Sequence, residues 1–206
     1  MNCRAGRSGS RIWPSFEGRW PWLVATLVAL AACSTPGRVG DSAATIGRDR
    51  LQAFAVAGRF ALRQHEASHS GRIYWRHVDG SDHLVVSSPF GQALAEVSGN
   101  SGGARLVASD GKTYEAPTMD ELLIAVLGYP LPLGKLADWL RGRSRAGVQV
   151  VSDSLGRPLA IEDQDWRLRY QYDDNDAQAL PGRLFVERAQ VFELRLRIDE
   201  WTDLAR

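Results

Sequence analysis

Period-two alternation dominates the chain from Phe54 onward. Phe54, Val56, Gly58, Phe60 and Leu62 alternate with Ala55, Ala57, Arg59, Ala61 and Arg63, which predicts a strand with one apolar face. His65–Ser70 reads as a polar turn, and Arg72–Val78 alternates again, with Ile73 and Trp75 opposite Arg72, Tyr74 and Arg76. Asp79-Gly80 and Asp110-Gly111 are hairpin signals, because both favour the positive φ that tight turns need. Further strands are expected at Asp82–Ser88, Gln92–Ser98, Arg105–Ser109, Lys112–Glu115, Val148–Ser152, Pro158–Glu162, Trp166–Tyr172 and Arg183–Arg188. The cleanest run is Phe192, Leu194, Leu196 and Ile198 against Glu193, Arg195, Arg197 and Asp199.

Between Thr118 and Leu140 the period becomes helical. Thr118 and Glu121 have capping-box spacing, and Leu122, Leu123, Val126 and Leu127 continue an apolar stripe begun by Met119. Gly128 is placed to cap the C-terminus, and a second short helix is expected over Gly134–Leu140. The whole reads as mainly β with a helical insert: roughly ten strands joined by short turns, and therefore antiparallel. A one-sided sheet of that length must curl. Two short helices cannot cover it all, so an unclosed, curved antiparallel β-barrel capped by short α-helices around an apolar cavity is expected. A well-packed closed barrel is the competing outcome.

The N-terminal region has a different pattern. Arg4, Arg7, Arg11 and Arg19 precede an uncharged run, Leu23–Leu30, and small residues then lead into Cys33. That order is a secretory signal peptide over residues 1–32, whose apolar core is too short for a membrane-spanning helix. Leu30-Ala31-Ala32-Cys33 resembles a bacterial lipoprotein cleavage box, which implies that Cys33 becomes the lipid-carrying mature N-terminus. In that class the absence of Asp after the cysteine (Ser34 stands there) implies the outer membrane. Residues 33–53 would be the lipidated N-terminus, a small and polar tether and a possible short helix over Ala43–Ala53, with the functional domain over 54–206.

Without residues 1–32 the chain carries 21 basic and 23 acidic residues, a formal charge of −2. Nothing in that balance calls for a polyanion, and nucleic acid is not an expected partner. Cys33 is then the one cysteine, so no disulfide forms within the chain, and its lipidation removes a hazardous thiol.

Candidate chemistry is sparse. His65, His69, His77 and His83 lie in no metal-binding or catalytic motif and read as solvated. The acidic clusters Glu162/Asp163/Asp165 and Asp173/Asp174/Asp176 fall at turns without calcium-loop spacing. Neither catalysis nor a cofactor is expected. The alternating arginines Arg167/Arg169 and Arg195/Arg197 read as the wet face of the sheet, or as a docking surface for an acidic partner. Pro89-Phe90-Gly91 places a large hydrophobe at a turn, where it either folds onto the core or projects outward.

Several segments together resemble the LolB family of outer-membrane lipoprotein receptors. They are the Leu30–Cys33 box, Gly58-Arg59-Phe60, Gly71–Trp75, Pro89-Phe90-Gly91, Asp110–Tyr114, Gly128–Leu133, Trp139–Gly142, Gly156–Leu159 and the Leu194–Trp201 strand. The resemblance implies an unclosed β-barrel and a carrier. Such a protein accepts acylated lipoproteins from a LolA-like periplasmic carrier and delivers them to the outer membrane, from whose periplasmic face it works as a lipid-anchored monomer. It also implies a membrane-delivery role for Phe90, where the family often has Leu. The acyl-chain cavity is expected to be lined by Phe60, Leu62, Trp75 and Val86, with Leu122, Leu123, Val126 and Leu127 forming a movable lid. The alternatives are a lipocalin-like binder of free lipid and a structural scaffold of an envelope assembly machine.

Overall fold

The computed structural model describes residues 47–189 and 191–205. The expected signal peptide over residues 1–32, Cys33 and the expected tether up to residue 46 lie outside them. Eleven strands and two helices are found among the described residues. In chain order the first strands are β1 (Phe54–Gln64), β2 (Ala67–Val78), β3 (Ser81–Ser87), β4 (Ala93–Asn100), β5 (Gly103–Ala108) and β6 (Thr113–Ala116). The helices α1 (Met119–Leu127) and α2 (Leu133–Leu140) follow. Then come β7 (Gln149–Ser152), β8 (Pro158–Asp163), β9 (Trp166–Gln171), β10 (Arg183–Arg188) and β11 (Phe192–Asp203).

All the strands join one antiparallel sheet in the order β6-β5-β4-β3-β2-β1-β11-β10-β9-β8-β7. Its two edges, β6 and β7, are consecutive in sequence and do not pair with each other. The chain leaves one edge, passes through both helices and returns at the other. The helical insert therefore takes the place of the contact that would close the barrel. This is the expected unclosed sheet, and each of its strands falls on a segment that the alternation marked.

Curvature has local causes. At Ala57/Gly58 the pairing of β1 with β11 skips Asp199, a bulge that bends the sheet. A Cβ on Gly58 would collide with the carbonyl of Arg197, and one on Gly71 with the carbonyl of Ser87. Both glycines let neighbouring backbones approach where no side chain fits.

Inward residues of the long strands form the core. Phe54, Trp75, Leu168, Leu184, Val186 and Phe192 are almost fully buried, each large side chain contributing roughly 1.5–3 kcal/mol by leaving water. Trp75 meets Phe54 edge-on at 5.7 Å and donates its indole N–H to Asp82 at 2.8 Å, so its polar tip is satisfied.

The helices differ in how firmly they are held. In α2, Leu133, Leu136, Ala137, Trp139 and Leu140 are buried, whereas α1 buries Leu122 alone. Arg141, just after α2, reaches the carbonyls of Leu51 and Gln52 at 3.0 and 3.2 Å and pairs with Asp138 at 2.7 Å. Its guanidinium also lies over the Phe54 ring at 5.3 Å. Burial is the main cause lowering the Arg141 pKa, and the neighbouring Arg143 lowers it further. The α1 ends match the sequence signals: Thr118 Oγ accepts from the Glu121 amide, and Gly128 adopts the left-handed conformation.

Two sequence expectations need correction. The expected helix over Ala43–Ala53 is, in its described part, a single turn closed by the Leu51 amide on the Gly47 carbonyl at 3.2 Å. The expected polar turn His65–Ser70 shrinks to two residues, since Ala67–Ser70 already belong to β2 and pair with Ala61–Gln64. Hydrogen bonding to a neighbouring strand overrides the weak strand preference of that polar stretch.

Candidate functional site

Beneath the helices the concave face of the sheet encloses a cavity of about 1290 Å³. That is larger than the roughly 300–1,000 Å³ typical of small-molecule pockets. Every polar residue on its wall comes from one stretch, Gln64–Ser70, at the β1–β2 hairpin. The remaining wall is hydrophobic and is built from the inward residues of β1 to β5 and β11, together with both helices.

Of the eight cavity residues named from the sequence, Phe60, Leu62, Trp75, Val86, Leu123, Val126 and Leu127 line this wall. Leu122 does not: it is fully buried in the core, on the side of α1 that anchors the helix. The stripe on α1 thus has two functions, with Leu122 holding the helix and its neighbours facing the cavity. The sequence reading missed the contribution of α2 and β11, where Leu133, Leu136, Leu140, Leu194, Leu196 and Ile198 complete the wall. The period-two run of β11 could have revealed its share, because Phe60 and Leu62 lie directly opposite Leu196 and Leu194.

Phe90 projects outward. It is 99% exposed at the tip of the β3–β4 turn, which closes through the Gly91 amide on the Ser88 carbonyl at 2.9 Å. Gly91 takes a positive φ of 89°, which leaves the turn tight and the ring unsupported by the core.

The polar groups mostly serve structure. His65 and His69 are exposed at the cavity rim. His77 is not solvated as expected: it packs on Phe54 at 5.2 Å and hydrogen-bonds Asp82 at 2.7 Å. Asp163 is buried, not part of a wet turn, and pairs with Lys135 of α2 at 3.2 Å. Asp173 pairs with Arg197 at 2.7 Å. No group of three or more metal-capable side chains occurs among the described residues. No helix among them is long and apolar enough to cross a membrane.

A solved LolA superfamily protein from Nitrosomonas europaea superposes with a TM-score of 0.48 at 12% identity, covering 76% of this chain and 88% of that one. The outer-membrane lipoprotein LolB of Dechloromonas aromatica is 37% identical over 88% of this chain and 96% of its own length. That of Azoarcus is 36% identical over 84% and 89%. Residues 52–201 match the family model for the outer membrane lipoprotein LolB, and the chain belongs to that family.

Proposed function

We propose that this protein is the acceptor at the end of a lipoprotein relay. It takes acylated lipoproteins from a LolA-like periplasmic carrier and inserts them into the outer membrane, working as a monomer anchored to the periplasmic face through lipids on Cys33. The observation that carries this reading is the large apolar cavity under a weakly anchored helix, in a chain of this family.

The physical argument concerns hydrocarbon in water. Each buried methylene is worth about 0.8 kcal/mol, so a single long acyl chain resists release by on the order of 10 kcal/mol. Hand-over from one apolar cavity to another avoids that exposure, because only the difference between the two sites enters the balance. Such an exchange runs toward the tighter site and needs no catalytic group. Phe90 would then meet the bilayer and start delivery, its exposed ring entering lipid at little conformational cost.

The test is transfer in vitro. Purified LolA-like donor loaded with an acylated lipoprotein should pass its cargo to this protein, and a non-acylated form should not move. Uptake of free lipid together with indifference to the loaded donor would overturn the carrier reading. Binding of a partner irrespective of acylation would favour a scaffold.

A further inference from the structure

The face of the sheet opposite the cavity holds a feature that only the strand register reveals. Arg72 on β2 lies directly across from Arg59 on β1, Arg59 from Arg197 on β11, and Arg197 from Arg183 on β10. Four arginines therefore stand in consecutive cross-strand positions, a row of about 15 Å at roughly 4.8 Å per strand. Phe60, Ile73 and Leu196, next in sequence to Arg59, Arg72 and Arg197, line the cavity wall, and Leu184 beside Arg183 is buried, so the row points the other way. Like charges directly opposite one another destabilise a sheet, and this arrangement calls for an anion.

Two carboxylates answer part of the charge. Arg59 binds Asp199 with two contacts, at 2.8 and 3.1 Å, and Arg197 binds Asp173. Asp199 is the bulge residue of β11, and its pKa is lowered by the Arg59 hydrogen bond and by the charges of Arg59, Arg197 and Arg72. Arg72 and Arg183 form no ion pair with any described residue, and Arg183 donates only to the Gln171 amide oxygen, at 2.9 Å. Four positive charges thus face two negative ones. The net charge of −2 over residues 33–206 hides this local excess.

Position indicates the partner. At its β2 end the row continues onto Ser87 of β3, which pairs with Arg72. Ser87 is the last residue before the turn that carries Phe90. A fully exposed aromatic side chain on the turn that follows one end of an arginine row is a combination that suits a bilayer with anionic headgroups, the ring entering the acyl boundary and the arginines meeting phosphates. We propose that the Arg72-Arg59-Arg197-Arg183 row is the headgroup-contacting part of the membrane face and binds the phosphates of anionic lipids. The proposal rests on the reading of Phe90 as the membrane-contacting tip.

The experiment uses residues 33–206 with Cys33→Ser, so that no lipid anchor contributes. The described core lies within Leu51–Ile198, inside one compact unit that this chain retains. Flotation is compared on vesicles of phosphatidylcholine alone and with phosphatidylglycerol added. Binding should rise with phosphatidylglycerol and fall with salt. Arg72→Gln and Arg183→Gln should each weaken it about fivefold on the anionic vesicles, with no change on neutral ones. Arg72→Lys should keep most of the binding, and Phe90→Glu should lose it on both vesicle types. Failure of the parent chain to prefer phosphatidylglycerol, or full binding by the double Gln variant, would overturn the row. If Phe90→Glu still lost binding, the tip reading would survive that failure. Row-dependent binding of soluble polyglutamate without any lipid preference would assign the row to an acidic protein and likewise overturn the proposal.

Discussion

The side-chain amide of Gln64, the last residue of β1, donates to the main-chain carbonyl of Leu127 at 3.1 Å and ties the sheet to the final turn of α1. The contact occupies one of the carbonyls that a helix C-terminus leaves without an internal partner. It also spans the edge of the cavity, since both residues line its wall. Otherwise α1 has Leu122 as its one buried side chain, Met119 and Leu123 half-buried against the core, and Asp120 Oδ1, which accepts from the Leu133 amide at 3.2 Å. By contrast α2 is fixed by five buried side chains and the Arg141 contacts.

That contrast predicts which element opens. Gln64→Ala should remove about 1 kcal/mol from the closed position of α1. Amide exchange within Ile124–Gly128 should accelerate several-fold, with exchange in α2 and the melting temperature nearly unchanged. Equal acceleration in both helices would show that the insert moves as a unit and that Gln64 is no latch.

For Phe90→Glu the expected outcome is a normally folded acceptor that fails at delivery. A 99% exposed ring contributes nothing to the core, so thermal stability should stay within about 0.5 kcal/mol of the parent. Cargo uptake from the loaded donor should persist while transfer to vesicles falls. Undiminished delivery would remove the membrane role of this residue.

Leu123 and Leu122 are neighbours with opposite surroundings, and they should behave differently. A photo-reactive side chain at Leu123 should cross-link to the acyl chains of bound cargo. Leu122→Ala should instead destabilise the fold by about 2–5 kcal/mol, as a core truncation does. Absence of any acyl adduct at Leu123 in the loaded protein would remove it from the binding wall.

Tyr170 and Tyr172 predict the alkaline limit of the fold. Burial raises the Tyr172 hydroxyl from 10 to about 12, and it raises that of Tyr170 further. Both groups hold their proton more tightly when folded, so their contribution is complete below pH 10 and is lost as pH rises through the folded value. Tyr172→Phe should flatten the fall in stability between pH 10 and 12, measured by denaturant unfolding; an unchanged slope would contradict the assignment. The buried Tyr170 hydroxyl has no hydrogen-bond partner among the described residues. Tyr170→Phe should therefore raise stability at neutral pH by about 1 kcal/mol.

Local chemistry made most of the elements legible. The alternation of Phe192–Ile198, the Thr118 cap and the Gly128 stop each appear in the structure where the sequence put them, because side-chain period and capping are properties of a few adjacent residues. The inward faces of β1 and β11 followed for the same reason, and with them much of the cavity wall. Less was visible where neighbours distant in sequence decide. Ala67–Ser70 is too polar to announce a strand and becomes one by pairing with β1. Leu122 and Leu123 carry the same side chain, and only the packing of α1 on β5 and β6 separates the anchor from the wall. The arginines alternate in the sequence like those of any solvated face; their alignment into one row required the register across four strands. A period assigns a residue to a face. Which residues then stand side by side is fixed by hydrogen bonds between strands, and those form only when the whole sheet does.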